Sequence, residues 1–266
     1  MILQNKVAII YGAGGSLGGA VAKALASSGA RLFLTGHRID TVQKTADEIL
    51  AAGGLAIVDQ VDALDEKAIN HHLDKVLQQA GRVDISFNAV GIDVVQNIPL
   101  VSMQVDDFIS PMSFMMQTRF LTAVAAGKAM VKQGSGVILS LTATPGGIAY
   151  PYTGGFGPAC CALECFSQNL ASELGVFGVR VVNMRSGGSP DSRFFKEAIA
   201  KNPEAMKSIL QKMEEDTMLK KLPLMVDIAN LAVFLSSDLA GKITGVTVDV
   251  TAGTTAGLNY RVPIED

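Results

Sequence analysis

Short apolar runs alternate with segments of helical periodicity along the chain. The runs fall at 6–11, 31–35, 55–59, 84–88, 136–141, 179–184 and 246–250. Helical patterns occupy 16–28, 40–52, 65–80, 117–132, 159–175 and 226–237. A short run that stays apolar at consecutive positions suits a strand covered on both faces. Strands separated by helices form a parallel sheet with right-handed crossovers. The pattern predicts an α/β fold: a doubly wound parallel sheet of about seven strands, built as a single domain over residues 1–266. No internal repeat or low-complexity linker divides it.

One segment breaks the alternation. Residues 189–222 follow a strand end and carry two amphipathic helical patterns, Arg193–Lys201 and Glu204–Leu219. Ligands of open α/β sheets bind beyond the carboxyl ends of the strands, so this helical insertion is a candidate substrate lid. A plain surface hairpin is the alternative.

Composition narrows the classes. Apolar residues make up 48% and charged residues 18% of the 266, enough for a sizeable core and unlike a disordered chain. The 22 basic and 25 acidic residues leave a charge of −3, with no basic stripe for nucleic acid or a membrane surface. No apolar run approaches the roughly 20 residues that span a bilayer. A strand is expected almost at the start, over Lys6–Tyr11, so no cleaved leader is expected. Cys160, Cys161 and Cys165 crowd one helical pattern and read as reduced thiols, hence a cytoplasmic protein.

Candidate chemistry begins after the first strand. The turn Tyr11-Gly12-Ala13-Gly14-Gly15-Ser16-Leu17-Gly18 leads into an apolar-periodic helix. Glycines let the backbone approach a pyrophosphate closely, and the helix N-terminus offers free N–H groups and partial positive charge. A dinucleotide site is expected there.

The chain resembles the short-chain dehydrogenase/reductase family along nearly its whole length. The family's Thr-Gly-x-x-x-Gly-x-Gly appears here as Tyr11 to Gly18, with Ser16 at the middle glycine. Asn88-Ala89-Val90-Gly91 stands for Asn-Asn-Ala-Gly, Ser186-Gly187 for the Pro-Gly after the sixth strand, and Ile243-Thr244-Gly245 also fits. The resemblance implies a Rossmann-type fold, an oxidoreductase class and a homodimer or homotetramer. Its interfaces would use helices 117–132 and 159–175 and the last strand. It also implies cofactor contacts at Gly12, Ser16, Leu17, Gly18, Val61, Asp62, Asn88, Gly91 and Gly187, with Asp62 against the adenine. A Cβ at Ser16 would cost about 1 kcal/mol if φ were positive there; alternatively the hydroxyl bonds a phosphate. The second strand ends Thr35-Gly36-His37-Arg38. Gly36 removes the acid that would hold a ribose 2′-OH, and Arg38, with His37, suits a 2′-phosphate, so NADP is expected over NAD.

The residues that the family uses for chemistry are a tetrad of Asn, Ser, Tyr and Lys. Tyr gives a proton to the substrate oxygen. Lys, one helical turn later, lowers the Tyr pKa and holds the nicotinamide ribose. Ser polarises the carbonyl, and Asn anchors a relay water. Aligned here, these positions hold Met115, Ala143, Phe156 and Cys160. Substitute candidates are Thr142 and Thr144, flanking Ala143 and expected to face the ligand, and Tyr152 on the loop before the helix. Arg185 and Ser186 also sit at a strand end where substrates collect. In the family's enoyl-reductase branch Tyr and Lys are spaced more widely, and neither Tyr150 nor Tyr152 meets a lysine at that spacing. The expected function is an NADP(H)-binding oxidoreductase-class protein with non-standard or lost catalysis at the usual carbonyl site. The alternative is a non-catalytic nucleotide-sensing or structural subunit that partners an active homologue. The substrate, a small molecule, is not specified. Cys160 reads as helix packing rather than a redox sensor, since no basic residue adjoins it in sequence. His71 and His72 read as part of a polar helix away from the cleft, and no metal-ligand spacing is found.

Overall fold

The computed structural model describes residues 1–257; the last residues of the expected domain, 258–266, lie outside the described ones. Seven strands form one parallel sheet: β1 (Val7–Tyr11), β2 (Arg31–Gly36), β3 (Leu55–Gln60), β4 (Ile85–Asn88), β5 (Gly136–Ala143), β6 (Val179–Ser186) and β7 (Val246–Val250). Their order is β3-β2-β1-β4-β5-β6-β7. The chain moves outward from β1 to β3, returns to place β4 beside β1, then moves outward the other way. The direction reverses between β1 and β4, so the cleft beyond their carboxyl ends is the expected ligand position.

Helices cover both faces. α1 (Ser16–Ser27), α2 (Ile39–Ala51) and α8 (Met225–Ser236) lie on one; α3 (Glu66–Ala80), α4 (Val105–Gln133) and α5 (Phe156–Leu174) lie on the other. β1 is buried at all five positions and serves both layers. Ala8 and Ile10 pack with Val21, Leu25 and Ala232, whereas Val7, Ile9 and Tyr11 pack with Ile69 and Val76. A strand alternates faces, so a run apolar throughout is what two-sided burial requires.

The 189–222 segment holds α6 (Arg193–Lys201) and α7 (Pro203–Glu215), the second shorter than its sequence pattern. α4 differs most from expectation: it begins at Val105 rather than 117 and runs through Pro111. Asp106 and Asp107 in its first turn complement the macrodipole and start it early.

His72 lies on α3, where its sequence reading put it, and turns inward from that helix. It is buried, and its ring stands edge-on to Tyr11 and Phe33. Nδ1 lies 3.2 Å from the Asp59 carboxylate, which also accepts from Lys75 Nζ at 3.0 Å. Burial pushes the imidazole below its ordinary value, outweighing the pull of Asp59. At neutral pH the pair is therefore a neutral ring donating to a carboxylate held ionised by Lys75. The unfolded chain takes up a proton near pH 6.5 that the folded chain resists, so stability is full above that pH and falls as pH drops below it. Unfolding by urea from pH 7.5 to pH 5 should show this slope, and His72→Gln should flatten it. An equal slope in the variant would refute the assignment.

Candidate functional site

A cleft of about 950 Å³ opens at the β1/β4 reversal. The Gly12–Leu17 turn, the β2 end through Arg38, Val61–Leu64 after β3, and Ala89–Asp93 after β4 line it. Residues 192–194 and Glu197, from the start of α6, close one side.

The turn is shaped for a ligand's close approach. Gly12 has φ +79°, and a Cβ there would stand 2.8 Å from the Ala89–Val90 backbone. A Cβ at Gly18 would run into the Gly12 carbonyl oxygen, so Gly18 seats α1 against the turn. Helix α1 starts with no side-chain cap, which leaves its first N–H groups for an outside acceptor. Ser16 is the first residue of α1 and is not at positive φ, so the strain considered for its Cβ does not arise. Its hydroxyl accepts from the Arg193 N–H of α6 at 3.0 Å.

At the β2 end His37 and Arg38 are exposed on the cleft, and the Arg38 side chain has no ion-pair partner among the described residues. Asp62 Oδ1 accepts the Leu64 N–H at 2.9 Å and so shapes the turn after β3. These features fit a dinucleotide: a crowded glycine cradle and an open helix N-terminus, with an exposed arginine at the β2 end.

Of the expected cofactor residues, Gly12, Ser16, Leu17, His37, Arg38, Val61, Asp62 and Gly91 line the cleft. Gly18, Asn88 and Gly187 do not. Asn88 is buried: its Nδ2 donates to Thr118 O at 3.1 Å and Thr122 Oγ1 at 2.9 Å, and its Oδ1 accepts the Val90 N–H at 3.0 Å. It anchors the cleft floor from beneath. Gly187 lies against Pro223, with its N–H donated to Val250 O.

The four aligned positions of the tetrad converge. Met115 and Cys160 are buried in one apolar cluster with Ala159 and Leu163, and Ala143 and Phe156 pack against it. Burial pushes the Cys160 thiol up to about 11, so it is neutral at physiological pH.

The substitute candidates are placed elsewhere. Thr142 faces α5 and not the cleft, because β5 continues to Ala143 and its alternation turns 142 inward. Its hydroxyl donates to Glu164 Oε1 at 2.8 Å and accepts from Asn183 Nδ2 at 2.7 Å. Thr144 is buried with its hydroxyl toward Ser186 O, 3.4 Å away. Tyr152 is exposed at φ +62° and lies outside the cleft lining. Arg185 is spent on Glu164, at 2.5 and 3.0 Å, and on Asp249 at 2.7 Å. Sequence reasoning also passed over Arg119, a buried arginine on α4 that reaches the cleft floor; its one signal was a charge inside an apolar helical stretch.

Residues 12–255 match a family model described as enoyl-(acyl carrier protein) reductase. An uncharacterized oxidoreductase of Mycobacterium tuberculosis is 30% identical over 265 residues, covering 99% of this chain and 97% of the relative. A 7alpha-hydroxysteroid dehydrogenase of Escherichia coli is 28% identical, covering 97% of each. The crystal structure of levodione reductase superposes with a TM-score of 0.87 at 25% identity, over 95% of this chain and 98% of that one. The matched span runs from the glycine turn to beyond β7, and the seven-stranded parallel sheet agrees with it: the chain belongs to the short-chain dehydrogenase/reductase family of oxidoreductases.

Proposed function

We propose that this protein binds NADP(H) in the cleft and does not perform its family's ordinary carbonyl reduction. The observation that carries the reading is the apolar cluster at the four tetrad positions. Bound NADPH supplies a hydride. Reduction of a carbonyl also needs a proton for the oxygen and a donor to polarise it. Phe156 has no proton to give, Ala143 has no hydroxyl, and the Cys160 thiol is neutral and buried. Losing a positioned acid–base group costs on the order of 10²–10⁴ in rate. The Gly12 turn and the α1 N-terminus would hold the pyrophosphate, Asp62 the adenine side, and Arg38 with His37 the 2′-phosphate.

The triple variant Ala143→Ser, Phe156→Tyr, Cys160→Lys tests the catalytic half. With saturating NADPH, the parent should reduce generic ketones at background rate. A parent as fast as that variant would overturn the reading. Binding without hydride transfer to any acceptor would favour a nucleotide-sensing or structural subunit over a non-standard enzyme.

The cofactor half makes a separate prediction. A charge-assisted hydrogen bond contributes about 1.5–3 kcal/mol. Arg38→Ala should therefore weaken NADPH binding about 10- to 100-fold and leave NADH unchanged. Equal losses for both would remove the 2′-phosphate role.

Two further parts of the reading concern movement and assembly. The α6–α7 pair acts as a lid, supported by Arg193 and Phe194 on the cleft and the Ser16–Arg193 bond. NADPH should slow hydrogen exchange in 193–201; unchanged exchange would argue for a plain hairpin. Copies associate through the α4–α5 face, where half-exposed Phe120 lies 5.9 Å from the Phe166 ring. A monomer in sedimentation would exclude that.

A further inference from the structure

Arg119 is a cation in the interior without a counter-charge. It is 5% exposed on α4. Its Nη1 donates to Thr118 Oγ1 at 2.9 Å and its Nη2 to the Val90 carbonyl at 2.8 Å. Its Nε has no hydrogen-bond partner, and no carboxylate pairs with it among the described residues. Burial pushes the guanidinium down to about 10, which still leaves it charged at neutral pH. Such a group is costly to bury unless it is paired and fully hydrogen-bonded, and here the counter-charge and the Nε partner are both missing among the described residues.

Its position narrows what could complete the set. Val90 belongs to the Ala89–Asp93 floor of the cleft. Sheet order puts β4 on the opposite side of β1 from β2 and β3, whose ends carry Arg38 and Asp62. Arg119 is not itself on the cleft lining; it reaches the inner end, away from the adenine end, through the Val90 carbonyl. Its neighbour in the interior is the neutral Cys160 thiol, close enough to feel its charge. The apolar cluster to which Cys160 belongs, with Met115, Leu163 and Phe156, offers no side-chain carboxylate.

We propose that Arg119 is a cofactor-binding residue, donating to the oxygens of the nicotinamide half of bound NADP(H), its ribose hydroxyls and carboxamide. The inference rests on the NADP(H) reading above and adds a residue to it. The anionic dinucleotide supplies the field that the buried guanidinium lacks. In the free protein Val90 O and Thr118 Oγ1 hold the side chain in place.

The experiment compares two probes by titration: NADPH, and adenosine 2′,5′-bisphosphate, which has the adenine half alone. Arg119→Met keeps the length of the side chain and removes the charge. The expected result is at least a 10-fold loss of NADPH affinity, unchanged affinity for the bisphosphate, and an unliganded Tm equal to or above the parent's. The last readout separates the proposal from a structural role, since a stabilising arginine would lower Tm when lost. Arg119→Lys keeps the charge and should retain more NADPH affinity than Arg119→Met. Parent-like NADPH binding by Arg119→Met, or equal weakening of both probes, would overturn the proposal while leaving the NADP(H) reading standing. A parent that binds neither probe would overturn both.

Discussion

Arg185→Leu should destabilise the protein by about 3–5 kcal/mol, read as a lower urea midpoint at unchanged slope. Arg185 joins β6 to α5 and β7 through Glu164 and Asp249, and its side chain is 14% exposed against 10% for Glu164. Removing the guanidinium leaves the Glu164 carboxylate in the interior with Thr142 as its remaining side-chain donor. The cost is that of the orphaned charge rather than of the lost attraction. Replacing both partners, Glu164→Leu with Arg185→Leu, should therefore recover a good part of the loss. A single variant within 1 kcal/mol of the parent would show that water reaches the pair.

Gly12→Val should remove NADPH binding, with affinity falling by a factor of 100 or more. The residue lies at φ +79°, where a side chain costs about 1 kcal/mol or more. The larger effect is steric. The new Cβ would stand 2.8 Å from the Ala89 carbonyl and the Val90 nitrogen, so the turn and the cleft floor must separate. Gly53 provides the control. It has φ +82° with open space around its missing Cβ. Gly53→Ala should cost stability alone and keep NADPH affinity. Loss of binding in both variants would point to general damage rather than to the cradle.

Much of the fold was legible because both faces of the sheet are covered. β1 and β4 read as strands since every position of each is buried, and the intervening helices show the periodicity of one buried face. The turn at Gly12–Gly18 was legible for a local reason: glycine spacing, strand and helix start lie within one short segment. What was not legible depends on contacts between distant segments. Glu164 and Arg185 pair across 21 residues, and Thr142, turned inward on β5, donates to the same carboxylate. His72 read only as part of a polar helix; that its ring turns in to Tyr11 and Phe33 depends on strands distant in sequence. The first turns of α4 were hidden by Pro111, which packing accommodates. Asn88 was picked out by a motif, but only the structure gives its side chain to Val90, Thr118 and Thr122.

The most direct measurement is thermal unfolding with NADPH, NADP⁺, NADH and NAD⁺ added in turn. Ligand at about 100 times its Kd stabilises the folded state by about 2.7 kcal/mol, a rise of a few degrees for a chain of this size. A rise with NADPH or NADP⁺ and little with NADH or NAD⁺ is expected if the glycine cradle and Arg38 form a working site. No rise with any of the four would contradict that, and would leave the apolar cluster as the remnant of a site that no longer holds a cofactor.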